Sequence, residues 1–263
     1  MAGPAPPLLV RRVEVQGRAA RVLEAGGGPP VVLVHGIGLA ADVWRRSLDV
    51  LAGAGRRVVA PDLPGFGGSP GPLRGMDTAR LVAWLHAFSE AVGVAGAAWA
   101  GHSLLARAVL RVAAERRDTP ALALISPTTV HGHRRSVRQA ALLARDAARE
   151  RPRVLWRVLR HYVRASPTAA VGTWLRDDGV DLATHAPRVR CPTLVAAGVD
   201  DPMSAPGELE RLAEAFPRGR LVRVPGTAHG LALDARGTVA ELLRTFLDGA
   251  SAPPASGQAP GNG

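Results

Sequence analysis

Apolar runs of four to seven residues punctuate this chain, and between them apolar positions return every three or four residues. Residues 9–15 and 20–24 read as a pair of antiparallel strands. Strand and helix then alternate: a strand at 31–35, a helix around 44–51, a strand at 58–61 and a helix at 78–92. The apolar run 97–100 leads into helix-forming residues 104–115, and a further strand covers 121–125. There the alternation stops. Residues 126–190 hold no convincing strand and read as helices, at 136–150, at 152–165 and in a short third one that starts at Ser166-Pro167 and carries Trp174. Strand signals resume after Cys191, at 193–198 and 221–224.

Right-handed crossovers between such strands give a mostly parallel sheet, so the fold class is α/β. The expected organisation is one core from residues 8–126 and 191–248, a helical cap inserted at 127–190, and a disordered Gly/Pro/Ala/Ser tail at 249–263.

Three polar residues fall just past the carboxyl ends of expected strands, where open α/β sheets gather catalytic groups. Ser103 sits in Gly101-His102-Ser103-Leu104-Leu105, on a strand-to-helix turn that exposes its hydroxyl. A serine hydroxyl is a weak nucleophile at neutral pH and requires a base and an orienting acid. Asp201 follows the strand at 193–198, with Asp200 as the fallback acid, and His229 follows the strand at 221–224 in Pro225-Gly226-Thr227-Ala228-His229-Gly230. Each alone would be an ordinary turn or cap residue. Their order along the chain, serine, acid, histidine, makes Ser103, Asp201 and His229 the candidate catalytic triad.

From about Val10 to Leu247 the chain resembles the α/β-hydrolase superfamily. The resemblance rests on the serine turn, on Val31-Val32-Leu33-Val34-His35-Gly36-Ile37 and on Pro61-Asp62-Leu63-Pro64-Gly65-Phe66-Gly67-Gly68-Ser69. It implies an α/β-hydrolase fold with an inserted helical cap and an oxyanion hole from the N–H groups of Ile37 and Leu104. It also implies a backbone-organising His35 and a structural acid at Asp234. The activity it implies is a serine hydrolase that cleaves an ester, thioester or lactone of a largely apolar small molecule through an acyl-enzyme. A C–C bond hydrolase or perhydrolase on the same triad, and a non-catalytic ligand-binding protein on a hydrolase scaffold, are the alternatives. Haloalkane and epoxide hydrolases of this superfamily use an aspartate nucleophile, against which the serine argues.

One position departs from the family pattern. The residue two places after the serine is usually small, because the turn brings it towards the residue two places before, Gly101; here it is Leu105, so either the turn opens slightly and aims Leu105 away, or the nucleophile is displaced and activity is weak or confined to an unusual substrate. Leu39, His102, Trp156, Tyr162, Trp174 and Leu231 are expected to line an apolar substrate pocket under the cap, with His131 and His133 facing it.

Composition narrows the partners. A chain of 263 residues that is 47% hydrophobic suffices for one enzyme-sized core. The formal charge is +11, yet every basic residue is arginine, the arginines are spread along the chain and aromatics make up 4%. That pattern suggests the coding bias of a GC-rich genome, and nucleic acid is not expected as a partner. The start of the chain lacks signal-peptide character and no apolar run reaches about 20 residues, so a cytoplasmic protein without membrane contact is expected. The single cysteine, Cys191, excludes an internal disulfide and reads as a buried structural thiol. No cofactor and no metal are expected, since no Cys/His cluster has metal spacing.

Overall fold

The computed structural model describes residues 6–130, 135–147, 156, 166–204 and 206–251. Eight strands form one sheet: β1 (Leu9–Val15), β2 (Arg18–Ala25), β3 (Pro30–Val34), β4 (Arg57–Pro61), β5 (Ala98–His102), β6 (Leu122–Ile125), β7 (Thr193–Gly198) and β8 (Gly219–Val224). Their spatial order is β1-β2-β4-β3-β5-β6-β7-β8. β2 pairs antiparallel with β1 and with β4, and every other pair is parallel.

The burial of the strands explains their composition. β5, β6 and β7 are buried at every residue and so read as continuous apolar runs, whereas β1 lies at an edge and keeps most of its side chains in water. Helices cover both faces. On one face Leu81, Leu85 and Phe88 of α2 (Thr78–Ala91), Val109 and Val112 of α3 (Ala106–Glu115), and Leu209 of α6 (Pro206–Ala215) pack against Val32, Trp99 and Val195. On the other, Leu48 and Leu51 of α1 (Arg45–Gly53) meet Val239 and Leu243 of α8 (Arg236–Ser251) over Leu33 and Ala100. Burying one such leucine or phenylalanine stabilises by about 1.5–3 kcal/mol.

The chain leaves β3 through α1 on one face and leaves β4 through α2 on the other. The crevice at the carboxyl ends of β3 and β5 is therefore the topological switch point, where ligands of open α/β sheets bind.

Between β6 and β7 the described residues hold only helices: α4 (Arg135–Ala147), α5 (Pro167–Arg176) and two single 3-10 turns at Leu182–Thr184 and Ala186–Arg188. α5 starts as its sequence suggests. The Ser166 hydroxyl accepts from the Ala169 amide at 3.3 Å and Pro167 occupies the first turn. The expected helix at 152–165 lies outside the described residues, apart from Trp156. At the other end α8 continues to Ser251, two residues beyond the expected start of a tail, and 252–263 are outside the described residues. A four-residue helix, α7 (Leu231–Asp234), precedes α8. No helix among the described residues is long and apolar enough to cross a membrane.

Candidate active site

β5 ends in extended backbone at His102, and the next residue, Ser103, has φ +57°, in the left-handed region that a side chain rarely adopts. Such a residue costs about 1–2 kcal/mol and persists only where its surroundings impose it. Two glycines let that happen. A Cβ on Gly101 would stand 2.9 Å from Ala106 Cα and 2.9 Å from Val109 Cγ2, so only glycine lets α3 fold back onto β5. A Cβ on Gly36 would stand 2.5 Å from His102 Nδ1 and 3.2 Å from Ser103 Cβ, so glycine lets the turn after β3 lie against the serine turn.

The strained turn points Ser103 Oγ at His229 Nε2, 2.8 Å away. His229 Nδ1 lies 3.0 Å from each oxygen of Asp201. Asp201, rather than Asp200, makes this contact: Asp201 is 3% exposed, while the neighbouring Asp200 lies in solvent. An ionised carboxylate can only accept, so Nδ1 carries the imidazole proton and Nε2 is free to accept from the hydroxyl. Burial pushes the Asp201 carboxyl up, but the charge and hydrogen bond of His229, the Met203 amide and the Ser204 hydroxyl outweigh it and hold the carboxyl below its ordinary value. The Met203 amide donates to Asp201 Oδ1 at 2.8 Å, closing an Asx turn that fixes the carboxylate.

The His102 ring stacks on that of His229 with centroids 5.9 Å apart and meets the Trp44 ring edge-on with centroids 6.4 Å apart. Burial pushes its pKa down to about 3; the charges of His229 and His35 act in the same sense, and the His229 backbone and Asp201 oppose it. His102 is a neutral ring at any working pH.

The neighbouring turn is also fixed by its sequence. His35 Nδ1 donates to the Gly36 carbonyl at 2.8 Å, and Nε2 accepts from the Leu63 amide at 3.0 Å, which ties the loop after β3 to the loop after β4. Asp62, fully buried, accepts from the Ala41 amide (2.7 Å), the Gly68 amide (2.8 Å) and Arg21 (2.9 Å). The Ile37 amide, inside this braced turn, has no hydrogen-bond partner among the described residues. The Leu104 amide follows Ser103 directly in the chain.

The expected pocket residues separate into groups. Leu39 and Leu231 are buried in the cluster that holds Trp44, on the α1/α8 face. Trp174 is half-buried and its indole N–H donates to Gln139 Oε1, which joins α5 to α4. Trp156 is 62% exposed, which fits the outer surface of the inserted segment better than a pocket wall. Tyr162, His131 and His133 lie outside the described residues. Leu105 does not face Gly101; Ala106 does, and Leu105 is buried on the α2/α3 face.

Thr128 lies beside Ser103, with Oγ1 3.5 Å from Ser103 Oγ. No local signal marks it, because β6 and the loop after it carry no pattern beyond an apolar strand. The Asx turn at Asp201 was readable from the spacing of Asp201 and Met203 behind Pro202. Among the described residues no group of three His, Cys, Asp or Glu side chains is arranged to hold a metal ion.

A family model described as the alpha/beta hydrolase fold matches residues 29–153. Epoxide hydrolase A of Mycobacterium tuberculosis is 43% identical over 96 residues, 35% of this chain and 30% of that protein. Polyketide synthase ThaQ of Burkholderia thailandensis is 28% identical over 268 residues, 88% of this chain and 12% of the synthase. In both matches the chain spans less than a third of the relative. A thermophilic esterase from Thermogutta terrifontis has the same fold, with a TM-score of 0.80 at 21% identity over 93% of this chain and 100% of that one. Together with the strand order and the left-handed serine after β5, these likenesses show that the chain has the α/β-hydrolase fold.

Proposed function

We propose that the protein is a serine hydrolase that cleaves an ester, or a thioester or lactone, of a largely apolar small molecule. The observation that carries the proposal is the unbroken contact from Ser103 Oγ to His229 Nε2 (2.8 Å) and from His229 Nδ1 to buried Asp201 (3.0 Å). In this mechanism Ser103 Oγ attacks the acyl carbon while its proton passes to His229 Nε2, and Asp201 stabilises the imidazolium. The N–H groups of Ile37 and Leu104 receive the oxyanion. Collapse returns the proton from Nε2 to the leaving oxygen or sulfur, and a water activated by the same nitrogen then releases the acid. No cofactor enters. On this proposal the enzyme acts in the cytoplasm, on small molecules rather than nucleic acid or membrane.

The epoxide hydrolase likeness does not carry over as an activity. A serine oxygen that opened an epoxide would form an alkyl ether, which has no carbonyl for water to attack, so turnover would stop after one event.

A fluorophosphonate probe tests the proposal. Wild-type protein is expected to be labelled, and Ser103→Ala to be unlabelled while its melting temperature is kept and its ester turnover falls by at least about 10³-fold. Undiminished labelling of Ser103→Ala would remove the serine from its role. A folded wild type that is neither labelled nor active on esters, thioesters and lactones would favour the ligand-binding alternative.

A further inference from the structure

The triad occupies the carboxyl edge of the sheet. At the opposite edge, where β6 and β7 begin, lies a recess of about 460 Å³. Two connections separated by some 70 positions in the sequence converge there: the one between α3 and β6 brings Glu115, Arg116, Arg117 and Thr119, and the one leading into β7 brings Arg188 and Arg190. Arginines that look evenly spread along the chain are thus gathered into one wall, four of them against one carboxylate.

They are not equivalent. Arg116 is committed to the protein: its Nε donates to His86 Nδ1 at 3.1 Å, its Nη1 to the Ala95 carbonyl, and Glu90 lies 3.7 Å from Nη2. Glu115 is committed as well, with His86 Nε2 at 2.8 Å. Arg117, Arg188 and Arg190 make no ion pair with the described residues, and Thr119 Oγ1 is buried without a hydrogen-bond partner among them. Cys191 adds no negative charge, because burial pushes its thiol up to about 11. The carbonyl end of α3 and Asp118, next in the chain to Arg117, oppose an anion here, but together they amount to about one and a half unit charges against three guanidinium groups without an ion pair among the described residues.

We propose that this recess is a binding site for a small phosphorylated molecule, separate from the catalytic centre. Guanidinium forks pair with phosphate oxygens two at a time and are weakly hydrated, which suits them to an anion held in a recess. The volume falls in the range of small-molecule sites, about 300–1,000 Å³, and exceeds what a single phosphate fills. The organic part of the ligand would rest on the apolar wall formed by Ala113, Ala114 and Pro187.

Calorimetric titration of the full chain with inorganic pyrophosphate at physiological salt, where non-specific charge attraction is screened, tests this. Saturable one-to-one binding is expected. Arg117→Gln and Arg190→Gln are each expected to weaken it about tenfold, the loss of one charge-assisted contact, with melting temperature and ester turnover kept. Arg12→Gln, an equal change of charge on the distant edge strand β1, is expected to leave it unchanged. Lack of saturable binding up to about 10 mM pyrophosphate would overturn the proposal. So would equal weakening by Arg12→Gln, tighter binding of succinate than of pyrophosphate, or binding of heparin alone, which would mark a surface for extended polyanions.

Discussion

Ala106 stands where a side chain on residue 101 would have to go, with its Cα 2.9 Å from the position of a Gly101 Cβ. The close approach across the serine turn is therefore made by the first residue of α3 and not by Leu105. The 3-10 turn Ser103–Leu105 swings Leu105 away from β5, and its backbone is ordinary right-handed helix at φ −77°, ψ −8°. Its side chain is 2% exposed, beside Met76, Leu81 and Ala108.

Leu105 thus contributes packing and no strain. Leu105→Gly should lower stability by about 2–4 kcal/mol, through the cavity it leaves and the added backbone freedom, and should not raise the turnover number on a small activated ester. Melting temperature and turnover measured together decide it. A faster variant would mean that leucine distorts the nucleophile after all.

The alternation of strands and helices was legible because the strands β3 to β7 are buried on both faces and read as continuous apolar runs, while the helices that cover the sheet are buried on one face and carry the helical period. The mutual contact of Ser103, His229 and Asp201 was legible because the three residues follow three strands at one sheet edge. The role of Leu105 was not, because one 3-10 turn after Ser103 shifts the close contact from residue 105 to residue 106, and nothing local in Ser103-Leu104-Leu105 distinguishes it from the start of an α-helix. Thr128 and the arginine recess were hidden for a different reason: each depends on which distant segments the strand order brings together.

Asp201 and Asp200 make a paired test, since only Asp201 reaches His229. Asp201→Asn should reduce turnover by about 10³–10⁴-fold, because an amide can hold the imidazole in the wrong tautomer. Asp200→Asn should stay within about threefold, because that side chain lies in solvent. Steady-state kinetics on one ester compares them, and the reverse order would reassign the acid.

His102 should make stability depend on pH. Its pKa falls from about 6.5 unfolded to about 3 folded, so between these values the unfolded chain binds the extra proton. The stability from keeping the ring neutral is fully present above pH 6.5 and is lost as pH falls towards 3. Denaturant unfolding of wild type should therefore weaken on acidification more steeply than that of His102→Phe, by up to about 1.4 kcal/mol per pH unit. Parallel curves for the two proteins between pH 6.5 and 4 would show that His102 is not kept neutral by the fold.

A buried charge pair joins α3 to the segment between β6 and β7. Arg107, in the first turn of α3, places Nε 3.0 Å from Asp177 Oδ1 at the end of α5, with both side chains at most 5% exposed. Thr78 Oγ1 donates to the same carboxylate oxygen at 3.3 Å, and Gly179 N–H donates to Oδ2 at 3.3 Å. The Arg107–Asp177 contact is an ion pair without hydrogen-bond alignment, so much of its Coulomb gain is offset by the cost of taking two charges out of water. The pair should therefore be expensive to break and cheap to replace. Arg107→Met alone should cost about 3–5 kcal/mol, because it removes the Arg107 charge from a buried carboxylate, and Arg107→Met with Asp177→Leu should recover most of that loss. Unfolding free energies of the two single variants and the double variant test the coupling. Additive losses would show that the two charges do not depend on each other, and that the inserted segment is held to α3 by its apolar contacts instead.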